Sequence, residues 1–146
     1  MFIISSMKRD VLMALVIAVL ALAPIVSGAD FDDSPIQGLN VTTNIDDAFD
    51  ASESENRTLM IVFDQDSCVY CDIFKSEVLS DSDVQKVLND NFTVLLVDVN
   101  RNPDIASKYL VYGTPSIVFV GSNGTDIDRI DGCPQADEFL DFIKGI

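Results

Sequence analysis

Two cysteines, Cys68 and Cys71, are separated only by Val69 and Tyr70, and this four-residue unit carries the clearest chemistry of the chain. An apolar run, Leu59-Met60-Ile61-Val62-Phe63, precedes it, and a stretch with helical patterning follows. Two cysteines so spaced at a strand-to-helix junction are the layout of a thiol–disulfide redox site. The first turn of a helix presents unpaired N–H groups and the positive end of the macrodipole, a field that favours a thiolate over a thiol. The thiolate is the nucleophile of disulfide exchange. Asp66 or Ser67 can cap such a helix and start it at about Cys68, leaving Cys71 one turn on to close the disulfide. Two alternatives share the spacing. One is a permanent disulfide, although so short a ring closes almost no loop. The other is half of a zinc site, for which only Cys133 and carboxylates remain as partners.

The chain has no histidine, which excludes Ser-His-Asp and Cys-His nucleophilic catalysis and any metal site that needs imidazole. No metal and no cofactor are expected. Asp64, Asp66 and Asp72 flank the cysteine pair in sequence. If they approach Cys68 they oppose the helix dipole, raise its pKa and move the couple toward the reducing side. Carboxylates that point into solvent instead would be screened and matter little.

Lys8 and Arg9 precede sixteen uncharged residues, Val11 to Val26, and Ser27-Gly28-Ala29 follow. Basic, apolar, then small is the pattern of a secretory signal, here cleaved after Ala29. The run falls short of the roughly 20 apolar residues of a spanning helix, yet a retained N-terminal anchor is the alternative. The chain then divides into a signal at 1–29, a spacer at 30–43 and one folded domain at 44–146, and the protein is exported, secreted or anchored. The 117 residues from Asp30 onward hold 7 basic and 23 acidic side chains, a net charge of −16. That charge repels nucleic acid and anionic membrane surfaces, so neither is expected as a partner. Four Asn-X-Thr triplets begin at Asn40, Asn56, Asn91 and Asn123, using half of the eight asparagines. In an exported chain these are N-glycosylation acceptors; the alternative is that Asn and Thr simply favour turns and strand starts.

The patterning predicts a helix capped by Asn44 and running to about Asn56, then a buried strand from Arg57 to Phe63. The helix from Cys68 carries Ile73, Phe74 and Val78 on one face, and a new cap at Ser80 or Ser82 opens another through Val84, Val87 and Leu88. Phe92 to Val99 reads as a strand, Asn102-Pro103 as the start of a short helix, and Ser116 to Val120 as a strand. A turn at Ser122-Asn123-Gly124 leads to a strand at about Asp126 to Ile130, and Pro134 opens a last helix with Phe139, Leu140, Phe142 and Ile143 inward. Residues 30 to 43 read as a spacer or a weak first strand. The expected class is α/β, a central mixed sheet with helices on both faces.

This order of elements, with Cys-X-X-Cys after the first buried strand and Gly113-Thr114-Pro115 before the third, resembles the thioredoxin superfamily over about Asn44 to Ile146. The resemblance implies that Pro115 follows a cis bond and lies opposite the cysteine pair. It implies that the backbone at Thr114 is open to an extended substrate in the manner of an added strand; the alternative for Gly113-Thr114-Pro115 is an ordinary turn with a trans proline. Tyr70 either presents its ring to the substrate or packs against the domain. Thioredoxins proper have Trp before the first cysteine, Gly-Pro between the pair, and a buried acid six residues before it. This chain has Ser67, Val69-Tyr70 and Val62 at those places. A Tyr before the second cysteine and a Thr before the proline look more like the exported reductases and isomerases of the superfamily.

The resemblance implies a dithiol–disulfide cycle in which Cys68 attacks and Cys71 resolves, acting on thiols and disulfides of partner proteins, in a monomer. It also places Cys133 beside the pair, as a third redox thiol or as a small half-buried residue at the helix start. The alternatives are a non-catalytic binding module with a fixed disulfide, and an electron carrier dedicated to one membrane partner. The acidic surface suits a highly soluble extracytoplasmic protein or, more sharply, one adapted to high salt, where screening removes self-repulsion. On the second reading the melting temperature rises between low and molar salt in thermal unfolding; a flat response rejects it.

Overall fold

The run Leu59 to Phe63 is apolar without interruption because helices cover both faces of the sheet that it centres. The computed structural model describes residues 35–146. The expected signal segment at 1–29, its alternative as a retained anchor, and the first residues of the 30–43 stretch lie outside the described residues.

In chain order the elements are β1 (Val41–Thr42), α1 (Ile45–Glu55), β2 (Thr58–Asp64), α2 (Val69–Ile73), α3 (Ser82–Asn91), β3 (Phe92–Asp98), α4 (Pro103–Lys108), β4 (Ser116–Val120), β5 (Asp126–Asp131) and α5 (Ala136–Ile143). The strands form one five-stranded mixed sheet in the order β1-β3-β2-β4-β5, with β1, β3 and β2 parallel and β4 and β5 antiparallel. Successive residues of β2 alternate between the two faces. Met60 and Val62 join Phe74, Val84, Leu88, Phe119 and Phe139 on one side, while Leu59, Ile61 and Phe63 join Ala48, Leu95, Tyr109 and Val118 on the other. Each such buried large apolar side chain contributes about 1.5–3 kcal/mol. The Phe74 and Phe139 rings meet edge to face with centroids 5.3 Å apart, which ties the segment after the cysteines to the last helix.

The stretch read as a spacer or weak first strand supplies β1 and puts Ile36 and Leu39 into the core. Two side chains of α3 hold it: the Gln85 Nε2 donates to the Gln37 carbonyl at 2.8 Å and the Asn89 Nδ2 to the Gly38 carbonyl at 2.9 Å.

Several boundaries differ from the sequence expectations. The helix after the cysteines does not run on smoothly. After α2 the chain makes one wide turn, Phe74–Val78, in which the Leu79 N–H donates to the Phe74 carbonyl at 2.9 Å. The cap of α3 is Asp81 and neither serine beside it: its carboxylate takes the N–H groups of Asp83 and Val84 at 2.9 and 3.1 Å. A carboxylate accepts both bonds and carries the charge that a helix N-terminus favours. The last helix opens at Ala136 with Gln135 extended before it, two residues later than Pro134 suggests. β2 begins at Thr58 and not Arg57, because Arg57 is spent on another task.

The Arg57 guanidinium donates to the carbonyls of Leu88, Asn89 and Phe92 at 3.4, 2.6 and 2.7 Å. It thus satisfies carbonyls at the C-terminal end of α3 and sets a positive charge at the negative end of that helix. Replacing it with methionine strands those acceptors. The variant Arg57→Met is expected to lose about 2 kcal/mol of stability, read as a lower denaturant midpoint at unchanged slope.

Candidate active site

The antiparallel pairing of β2 with β4 brings two loops together. Phe63 pairs with Ser116, so the C-terminal end of β2, from which the chain continues to the cysteines, lies beside the segment that enters β4. Cys68 and Cys71 are joined in a disulfide with their Cα atoms 5.2 Å apart. The Thr114–Pro115 peptide bond is cis.

The local chain explains how Cys68 is presented. Ser67 sits in the left-handed region at φ 63°, and Cys68 returns to extended backbone. Cys68 is therefore the N-cap of α2 itself, in place of the expected Asp66 or Ser67. Its sulfur takes the capping position: the Cys71 N–H donates to the Cys68 Sγ at 3.2 Å. The Thr114 hydroxyl donates to the same sulfur at 3.4 Å. The Thr114 carbonyl oxygen stands 3.5 Å away, where the reduced, protonated thiol can donate to it. Two donors aimed at one sulfur stabilise negative charge there once the disulfide opens. Cys71 is buried behind it at 2% exposure, against 9% for Cys68.

Around the pair, Val69 and Tyr70 point outward at 68% and 65% exposure, and Pro115 is buried under Thr114. Tyr112, which the sequence reading did not single out, is the most exposed of the large apolar side chains among the described residues, at 91%. An open cleft of about 430 Å³ runs past Tyr112, Gly113, Thr114 and Pro115 to Arg129, Asp131 and Gly132. Thr114 precedes β4, so its own N–H and C=O take no part in the sheet ladder. The Ser116 hydroxyl, buried at the start of β4, lies 2.8 Å from the Gly113 carbonyl and 2.9 Å from the Asp131 carboxylate. The single proton of that hydroxyl serves one of them at a time. Asp131 is held below the usual carboxylate range chiefly by the Arg129 guanidinium, with burial working against it and Ser116 assisting.

The three acids near the pair do not act alike. Asp64 binds the Lys75 ammonium at 2.6 Å, and Asp72 approaches the same ammonium at 3.3 Å. Burial works to lower the pKa of Lys75, but the bonds and charges of Asp64 and then Asp72 outweigh it and raise the pKa. Lys75 therefore offsets one of the three negative charges that the sequence places around Cys68. Asp66 is exposed.

Cys133 lies in the loop before α5, next to Gly132, whose N–H donates to the Pro115 carbonyl at 2.8 Å. The loop thus touches the cis-proline segment. Its thiol is free and half-buried, packed against the core side that holds Phe74 and Phe139. Among the described residues no hydrogen bond or disulfide joins it to Cys68 or Cys71. Among those residues, too, no group of three or more Cys, Asp or Glu side chains is arranged to hold a metal ion, and no helix is long and apolar enough to cross a membrane.

The profile of the thioredoxin-like domain family matches residues 45–145. Over 99 residues the chain is 32% identical to the thiol:disulfide interchange protein DsbD of Pasteurella multocida, a match that covers 64% of this chain and 17% of that protein. Over 108 residues it is 27% identical to the DsbD of Colwellia psychrerythraea, covering 70% of this chain and 18% of that one. The chain therefore spans less than a fifth of the length of these curated relatives. Among solved structures, a thioredoxin from Thermus thermophilus superposes with a TM-score of 0.67 at 29% identity, over 74% of this chain and 86% of that one. The oxidised C-terminal domain of Neisseria meningitidis DsbD shares the fold, with a TM-score of 0.60 at 21% identity over 68% of this chain and 90% of that one. With the family profile spanning β2 to β5 and its redox pair seated against a cis-proline, the chain belongs to the thioredoxin-like family.

Proposed function

We propose that this protein is an exported thiol–disulfide oxidoreductase that reduces or isomerises disulfides of partner proteins through a Cys68/Cys71 cycle. The observation that carries this reading is the seating of the Cys68 sulfur, which meets the Cys71 N–H and the hydroxyl of Thr114, a residue that itself lines an open cleft. The Cys68 thiolate attacks one sulfur of a substrate disulfide, forming a mixed disulfide and releasing the other sulfur as a thiolate. The Cys71 thiolate then attacks the Cys68 sulfur, the mixed disulfide breaks, and the second substrate thiol leaves. The substrate gains two electrons and two protons, and the Cys68–Cys71 disulfide is regenerated until a dithiol partner reduces it. Thr114 and Pro115 bind substrate backbone, and Tyr70 contacts its side chains. Export rests on the basic, apolar and small-residue pattern of the N-terminal segment.

A second reading, an electron carrier serving one membrane-bound partner, is favoured by the likeness to thiol:disulfide interchange proteins. The two differ in rate on a generic protein disulfide such as insulin, fast for the first and slow for the second. A redox-buffer titration with thiol counting by alkylation and mass spectrometry tests both against a fixed disulfide. A reversible two-electron couple that disappears in Cys68→Ser and in Cys71→Ser is expected. A potential near about −270 mV marks a reductant and one near about −120 mV an oxidant. A pair that stays oxidised in strongly reducing buffer overturns the enzyme reading.

Cys133 stands outside this cycle. Burial, and then the charge of Glu77, push its pKa up, so less of it is thiolate at neutral pH than of a free cysteine. Its alkylation by iodoacetamide is expected to have an alkaline-shifted midpoint, and Cys133→Ser to leave the potential of the Cys68/Cys71 couple unchanged. A shifted potential in that variant would make it a third redox thiol.

A further inference from the structure

All four Asn-X-Thr triplets lie on one rim of the sheet, the rim opposite the redox pair. Asn56 ends α1 in the left-handed region, two residues before β2, and Asn91 is the last residue of α3, directly before β3. The register Thr58 to Phe92 sets these two junctions side by side. Asn123 lies in the turn after β4, which reaches the same rim because Val120 pairs with Leu59. The Ser122 hydroxyl donates to the Asn56 Oδ1 at 2.8 Å across that gap. Asn40 precedes β1, whose Val41 pairs with Val94, and its N–H donates to the Asn89 Oδ1 at 2.9 Å. All four asparagines are exposed. The cysteines follow the other end of β2, and six steps along a strand separate the two rims by about 20 Å.

The other loop asparagines sort the opposite way. Asn100 and Asn102 follow β3 at the redox end, and Asn44 follows β1 beside Thr43, which lines a depression with Asp64, Asp66 and Asp98. None of these begins a triplet: Asn44 has Asp46 two residues on, Asn100 has Asn102, and Asn102 is followed by Pro103.

We propose that Asn40, Asn56, Asn91 and Asn123 are N-glycosylation sites whose glycans clothe the rim opposite Cys68 and leave the redox face open to protein substrates. This goes beyond the redox reading and requires only that the chain be exported. The glycosyl donor is a glycan carried on a lipid-linked phosphate. The asparagine Nδ2 forms a bond to the anomeric carbon, and the bond from that carbon to the phosphate oxygen breaks. The lipid phosphate leaves with the electron pair, and the amide gives up one proton. The threonine two residues on is what the transferase reads, and bulky hydrated glycans are tolerated where the side chain already faces water.

The test translates the full chain in the presence of microsomes that carry an oligosaccharyltransferase. Expected is a protease-protected chain with three or four electrophoretic steps, all removed by peptide N-glycosidase. Each of N40Q, N56Q, N91Q and N123Q that blocks an occupied site removes one step. Insulin reduction by the glycosylated and deglycosylated forms is expected to agree within about twofold. A protected chain with fewer than three glycans overturns the sites and leaves the redox reading standing. A chain left outside the microsomes removes export and the sites together. A tenfold gain in activity on deglycosylation overturns the open redox face.

Discussion

The antiparallel ladder between β2 and β4 is the constraint on which the site depends. Neither loop that makes the site has much structure of its own: one is a turn with Ser67 in the left-handed region, the other an irregular run ending in a cis proline. What holds them together is a ladder of five residue pairs from Leu59 with Val120 to Phe63 with Ser116. A slip of one residue would turn Met60 and Val62 to the wrong face of the sheet and part Cys68 from Thr114 at once. Burial on both faces makes that slip costly, so the core that stabilises the fold also fixes the geometry of the sulfur.

Charge is arranged around the same end of the sheet with more compensation than the count of acids implies. Lys75 reaches back from the wide turn after α2 to Asp64 at the end of β2, and takes Asp72 as well. Within the interval Phe74–Val78, Phe74 and Val78 are in the core and Lys75 meets the strand end. At the place where thioredoxins carry a buried acid, Val62 packs into the apolar cluster, so that face of β2 offers no carboxylate.

Much of this was legible from patterning. The unbroken apolar run identifies β2 as central, Asn44 caps α1 as its position predicts, and Asn-Pro opens α4. What stayed hidden has physical reasons. Asp81 sits between two serines that are equally good caps on paper, and only the path of the chain into α3 decides among them. The wide turn has no sequence signature, since Phe74 and Val78, four residues apart, would share one face of a regular helix as well. Cys68 as its own cap could not be read either, since sulfur is a weak acceptor and sequence rules name only oxygen side chains. The Ser116–Asp131 contact belongs to the site by tertiary approach across the β4–β5 pair, where sequence spacing says nothing, whereas Tyr112 stands two residues before Thr114 and could have been read from its place beside that motif.

The outer strand β5 has a further consequence. It pairs on one side only, with β4, and its other side is an open edge. Five of its six residues are exposed, and three of the six are aspartates, Asp126, Asp128 and Asp131, with Arg129 among them. An unpaired strand is a template for another copy of the same strand, and here such a pairing would bring one row of carboxylates against another. The opposite edge, β1, is only two residues long and presents little to join. The sheet is therefore guarded against edge-to-edge growth by charge on one side and by brevity on the other.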